Sequence, residues 1–323
     1  VGSGVDFAAA DYARRTRRFP EIVLTGKVKQ DYRAWSVLPV ALNHFIGITT
    51  KRSMLVVHLV VLTSCTTVAL AVAGYRNSYR QSLRATAAFF ATSVPAMSFF
   101  FMGTSDQMLV ALLVATVFIS RRWSHFAIGL LLGATHAEIA AIALIGLLGF
   151  AWADRNRTLV ISRVWALAAI AIARVALMIW FATAGHVATR LDYAKNFGFA
   201  NIFDLFKDTW LVILLTLATG AWLLVIDVIA SQPKSRHIAV IVAFLSLVMA
   251  VAAITVDESR IVMLCAFAPF MYLAYSSDTP RRSDLQRDIT LGLATAIGLA
   301  TPLVIVWIGK IDWVVGTPAR ILW

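Results

Sequence analysis

Apolar runs of membrane-crossing length recur along almost the whole chain, and they constrain its fold more than any other feature. At 1.5 Å of rise per residue, a helix needs about twenty predominantly apolar residues to cross a hydrocarbon core of roughly 30 Å. Candidate windows fall at 53–74, 84–102, 107–120, 124–135, 137–153, 160–184, 209–231, 237–256, 261–276 and 288–309. With 60% hydrophobic and only 14% charged residues among 323, the chain carries more apolar surface than a soluble core of this size can hide. The expected fold class is all-α, a polytopic transmembrane helical bundle of about ten spans. Residues 1–52 are expected to form an external loop segment with an interfacial helix over 34–48, and residues 53–323 the transmembrane helical domain.

The basic residues fix the expected topology. The net charge of +12 is not a nucleic-acid footprint here, because Lys and Arg sit in short clusters between apolar runs, where they act as positive-inside signals. If Arg76, Arg80 and Arg84 are cytoplasmic, then so are Arg121 and Arg122, and Arg155 and Arg157 must be as well. That requires an even number of crossings between Trp123 and Ala153. Two short helices turning at His136 satisfy it, whereas one helix of that length inverts everything downstream. Lys234, Arg236, Arg281, Arg282 and Arg287 then also fall inside. The nine Lys and Arg of the amino-terminal segment go against this trend, although long segments translocate with less regard to charge.

The opposite face receives most of the conspicuous acids and histidines. Ionisable groups at membrane depth are costly and mark sites or pathways. The candidates are Asp6, Asp106, His136, Glu138, Asp257, Glu258 and Arg260, each in or beside an external loop. Converging from separate loops, they would set a general base beside a phosphate-binding cation; taken singly, each is also what an ordinary loop end contains. Arg174 stands alone in an apolar run, where it would hold a donor phosphate, pair with an acid such as Asp227, or snorkel outward. His186, Arg190, Asp192 and Lys195 fit an amphipathic helix on the bilayer surface.

The stretch GTSDQMLVALLVATVFISRRWSHFAIGLLLGATHAEIAAIALIGLLG resembles the membrane core of the GT-C superfamily, the polyprenyl-phosphate-sugar-dependent glycosyltransferases. An external acid (Asp106), a basic-aromatic turn (Arg121-Arg122-Trp123), a glycine-bearing short helix (Gly129, Gly133) and an external His (His136) follow that family's order. The opening VDFAAADYARR is similar to the family's first external loop, whose Asp serves as catalytic base. The resemblance covers about the first 150 residues and implies a first span upstream of Val1. It implies a membrane glycosyltransferase of a bacterial inner membrane, moving sugar from a polyprenyl-phosphate donor to a lipid or glycan acceptor. The base falls on Asp6 or Asp106, with Asp11 also open because the family's acidic pair is not evident. His136, Glu138, Asp257, Glu258, Arg260 and Arg174 would bind substrate. No residue is assigned as a metal ligand, and a divalent cation is the one cofactor left open.

Two other classes compete: a transporter or flippase, and a non-catalytic membrane subunit or fragment. Neither HEXXH, paired CxxC, a Walker loop nor GxSxG occurs. Cys65 and Cys265 read as packing residues, Gly129 and Gly133 as a close approach of two helices of the same chain, and Pro95, Pro269 and Pro302 as interruptions of spans.

Overall fold

The computed structural model describes residues 13–19, 36–50, 79–95, 106–183, 199–231, 235–255, 258–276, 283–301, 303–307 and 310–314, with a few single positions between 52 and 97. It is predominantly helical. In chain order the elements are α1 (Val37–Phe45), α2 (Tyr79–Phe90), α3 (Asp106–Phe118), α4 (Arg122–Ala153), α5 (Arg157–Thr183), α6 (Phe199–Ala218), α7 (Ala221–Ser231), α8 (Ser235–Ala252), α9 (Glu258–Ser276), α10 (Asp284–Ala300), β1 (Leu303–Trp307) and β2 (Lys310–Val314). Two helical runs, α4 and α5, have the length and apolarity to cross a membrane.

The first of these runs doubles back. At His136 the backbone leaves the helical region (φ −161°, ψ 76°), which breaks the helix into limbs of 122–135 and 137–153. A straight α4 would hold Gly129 about 36 Å from Ala153, whereas Ala166 lies only about 14 Å along α5 from Arg157. Yet a Cβ on Gly129 would fall 2.4 Å from the Ala166 carbonyl oxygen, and one on Gly133 would fall 2.7 Å from the Ala173 Cβ. The first limb therefore runs parallel to α5. The second runs antiparallel to it, with Arg163 donating to the Leu147 carbonyl near one end and Arg174 meeting Glu138 near the other. The expected turn at His136 is thus present as a tight helical hairpin, and the two glycines are what let the first limb press against α5.

The other contacts follow the same two ends. At one end the Ser162 hydroxyl donates to the Ser120 carbonyl (2.6 Å), the Tyr272 hydroxyl to Asp154 (2.9 Å), and Arg287 to the Ala274 carbonyl. Arg80 and Arg84 of α2 interlock there with Asp284 and Asp288 of α10 at 2.6–2.9 Å, beside a capping box made by Ser283 and Gln286. This basic end also holds Arg121, Arg122, Arg155, Arg157 and Arg236. The other end, the hairpin tip, holds Asp106, Thr135, His136 and Arg260.

Between the ends, α9 is the axis of the bundle. Every residue from Val262 to Leu273 is buried, and the helix packs on α2, α3, α4, α6, α7 and α8. Cys265 is buried among them, a packing residue as expected. Pro269 is tolerated inside this helix, its ring lying where a side chain on Gly146 would otherwise go. In contrast, α5 keeps much of its apolar surface exposed, including Val164, Ile172, Val175 and Met178.

Three expectations need correction. The single span at 209–231 is two helices, α6 and α7, broken at Thr219 (φ 40°). There Gly220 passes so close to the α10 backbone that a Cβ would meet the Ala294 oxygen at 1.8 Å. The span at 288–309 ends at Ala300, because Pro302 forces Thr301 into extended backbone (ψ 124°). Beyond it the β-branched run Leu303–Trp307 pairs antiparallel with Lys310–Val314, Leu303 opposite Val314. The described residues are otherwise helical, as expected, and this short two-stranded pair is the one addition among them. The expected span at 84–102 begins earlier, with α2 starting at Tyr79 and stopping at Phe90. Span 53–74 lies largely outside the described residues.

Candidate functional site

Asp106 opens α3, the favourable place for an acid beside helix N–H groups, and it has no exposed surface. Arg260, in the first turn of α9, reaches it with both sides of its fork: Nε to Oδ2 at 2.5 Å and Nη2 to Oδ1 at 2.8 Å. Two residues assigned separate roles from sequence are thus one bidentate ion pair, the strongest geometry available to a carboxylate and a guanidinium. The Arg260 side chain remains about a fifth exposed (22%) while Asp106 is sealed, so Arg260 is the member of the pair that reaches the surface.

The hairpin tip sits beside this pair. Thr135 donates to the Leu131 carbonyl (2.8 Å) and touches the Met108 sulfur at 3.6 Å, tying the tip to the first turn of α3. Just beyond the reversal, Glu138 receives Arg174 of α5 at 2.5 Å, while the His136 Nδ1 lies 3.7 Å from the other Glu138 oxygen. Of the three destinies open to Arg174, pairing with an acid is the one observed, and the acid is Glu138 rather than Asp227. Glu138 keeps 41% of its side chain exposed.

The tip end therefore brings together Asp106, Arg260, His136, Glu138 and Arg174. Glu258 begins α9 two residues before Arg260, with its side chain outside the described residues, as are Asp6, Asp11, Asp257 and His186 to Lys195. Helix α1, the expected interfacial helix, caps the same end: Val37 packs against Leu177 and Phe181 of α5, one to two turns past Arg174, and His44 binds the Thr16 carbonyl. Among the described residues no three of His, Cys, Asp and Glu converge to hold a metal ion.

Sequence reasoning missed a second polar cluster, at the basic end. Asp154 takes hydrogen bonds from the Tyr272 hydroxyl and from His237 at 2.8 Å. Beside them Arg163, with no exposed surface, stacks 4.3 Å from the centre of the Tyr272 ring. The signal was there: Arg163 lies inside the window 160–184, where an ionisable residue needs a reason.

Compared with known protein families, curated proteins and solved structures, the chain finds no match.

Proposed function

We propose that this chain is a multi-pass membrane glycosyltransferase of GT-C type, using a polyprenyl-phosphate sugar as donor and a lipid or glycan as acceptor. Its tip end faces the exterior of a bacterial inner membrane. The observation that carries this reading is the pairing of two guanidinium groups with two acids, Arg260–Asp106 and Arg174–Glu138, at the hairpin-tip end. The multi-pass reading is supported by the reversal at His136 and by the further short apolar helices Asp106–Phe118, Ala221–Ala230, Arg236–Ala252 and Arg260–Ala274.

The chemistry assigns roles. Asp106 is sealed and uses both oxygens on Arg260, so it aims the guanidinium rather than acting as the base, while Arg260 is the cation assigned to the donor phosphate. Glu138 is the accessible carboxylate, steadied by Arg174. In the transfer it would take the proton of the acceptor hydroxyl as that oxygen bonds to the anomeric carbon. The bond from that carbon to the phosphate oxygen breaks, and the charge left on the polyprenyl phosphate falls to Arg260. His136, 3.7 Å from Glu138, would orient the acceptor.

The test is sugar transfer by the purified protein in detergent from a radiolabelled polyprenyl-phosphate sugar. Glu138→Gln and Arg260→Lys are each expected to reduce turnover by about a hundredfold. Undiminished transfer by both would remove the site. Movement of a labelled lipid donor between leaflets with no transfer would reassign the chain to the transporters.

A further inference from the structure

At the hairpin-tip end, residues 13–19 fold onto α1. Residues 13–17 form a short helix that turns at Arg18 and Phe19. Ala13 packs on Val40 and Ile48, the His44 ring donates to the Thr16 carbonyl at 2.9 Å, and the Phe19 ring lies 5.4 Å from that of His44 and 5.9 Å from that of Phe45. The two pieces are therefore one unit, and Val37 and Phe19 seat it against Leu177 and Phe181 of α5.

This unit exposes charge and apolar surface close together. Arg17 and Arg18 are exposed and immediately precede Phe19, whose ring touches Phe45. Leu42, Phe45 and Ile46 recur at i, i+3 and i+4, and the Ile46 N–H still donates to the Leu42 carbonyl at 3.1 Å, so the three share one helical face. All three are exposed, Phe45 at 78%. Depth along α5 gives the reason. Leu177 and Phe181 lie about 30 and 36 Å from Arg157, so the unit sits about one hydrocarbon thickness from the basic end. Ile179 and Trp180 of α5 are exposed at the same level, where an interfacial aromatic belongs. An apolar stripe beside arginines at this depth suits acyl chains beneath anionic headgroups. A soluble acidic partner would answer the charge but not the depth.

We propose that residues 13–19 and α1 form a docking surface for anionic phospholipid in the leaflet at the hairpin tip. Leu42, Phe45 and Ile46 enter the boundary between headgroups and acyl chains, and Arg17 and Arg18 bind lipid phosphates. The surface fastens the amino-terminal segment to the bilayer at the end that holds the Asp106–Arg260 and Glu138–Arg174 pairs. It also gives a reason for basic residues on a face that the positive-inside trend leaves poor in them, since lipid supplies their countercharge. The inference rests on the membrane reading and is independent of sugar transfer.

The experiment attaches a fluorophore to the full chain, with Cys65 and Cys265 replaced, through Phe45→Cys or, as the control on the exposed face of α5, Ile179→Cys. Each protein is placed at one copy per nanodisc, so a second chain cannot cover the probe. The discs are phosphatidylcholine alone or equal parts phosphatidylcholine and phosphatidylglycerol, and quenching is by acrylamide from water or by a nitroxide-bearing lipid. The probe at position 45 is expected to be quenched by the lipid rather than by acrylamide, and more so with phosphatidylglycerol. Arg17→Gln with Arg18→Gln should remove that increment, about fivefold per arginine in the embedding equilibrium, and high salt should shrink it in the parent chain. Water exposure at position 45 with lipid contact at 179 would overturn the docking surface alone, and water exposure at both would overturn the membrane reading with it. Equal embedding in the two kinds of disc would overturn the preference for anionic lipid. As a measurement on the unaltered chain, a photoactivatable phosphatidylglycerol should crosslink to α1 more than its phosphatidylcholine counterpart, and equal yields would count against the arginines.

Discussion

Gly129→Ala should destabilise the protein, although the same change in most helices does the opposite. In a helix interior, replacing Gly by Ala gains about 1 kcal/mol from backbone entropy and helix propensity. At Gly129 the new methyl would stand 2.4 Å from the Ala166 carbonyl oxygen, 2.8 Å from the Ala169 Cβ and 2.9 Å from the Ala166 Cα. Restoring an ordinary contact of about 3.4 Å to that oxygen moves the limb away from α5 by about 1 Å, and the obstacle is backbone rather than a flexible side-chain end. Overpacking of this kind costs about 1–3 kcal/mol, and a backbone obstacle places it in the upper half, leaving a net loss of about 1–2 kcal/mol after the helix gain. Gly292→Ala in α10 is the control, since a Cβ there meets nothing within 4 Å, so it should gain about 0.5–1 kcal/mol. Denaturation of both variants in mixed micelles, followed by far-UV circular dichroism, reads the difference. If Gly129→Ala proves as stable as Gly292→Ala, the first limb does not lie on α5 and the reversal at His136 is wrong.

Three further outcomes follow from the same structure. Asp106→Leu, which strands Arg260 beside a buried apolar group, should cost about 3 kcal/mol, and Asp106→Leu with Arg260→Met should recover part of that loss in the same denaturation assay; a double variant worse than both singles would contradict the pairing. With Cys65 and Cys265 replaced, a cysteine at Thr183 should react with an impermeant reagent from one side of the membrane and cysteines at Arg122 and Arg157 only from the other; labelling of all three from one side would end the two-ended topology. The Asp284 carboxyl is held below its usual range first by its hydrogen bond from Arg84 and then by the charge of Arg80. Because its folded value is depressed, its contribution is present above the unfolded carboxylate value of about 3.9 and is lost as pH falls below it. Thermal melts from neutral pH downward should therefore show a smaller loss in Asp284→Asn than in the wild type, and identical slopes would dismiss the cluster.

The chain reversal at His136 could be argued from Arg121, Arg122, Arg155 and Arg157, because charge placement and apolar run length are local properties that a sequence displays directly. The same holds for the close approach at Gly129 and Gly133, the bounds of α5 and α9, and the collection of Asp106, His136, Glu138 and Arg260 at one end. Tertiary structure decided who pairs with whom. Asp106 and Arg260 are 154 positions apart, and no periodicity reports that α3 and α9 start side by side. The same limit hid the Arg163–Tyr272–Asp154–His237 cluster, drawn from three separate helices and the turn before α5, and the choice of Glu138 for Arg174. The break at Thr219 escaped because the neighbouring backbone, at Ala294 and Ala91, sets it. Hydropathy likewise read Leu303–Trp307 as the tail of a span, since an apolar run looks alike in a helix and a strand until its partner strand is known. Local physics thus wrote most of the helices and the reversal between them, and only the packed chain, by bringing distant charges within hydrogen-bonding reach, turned acids and arginines into a candidate site.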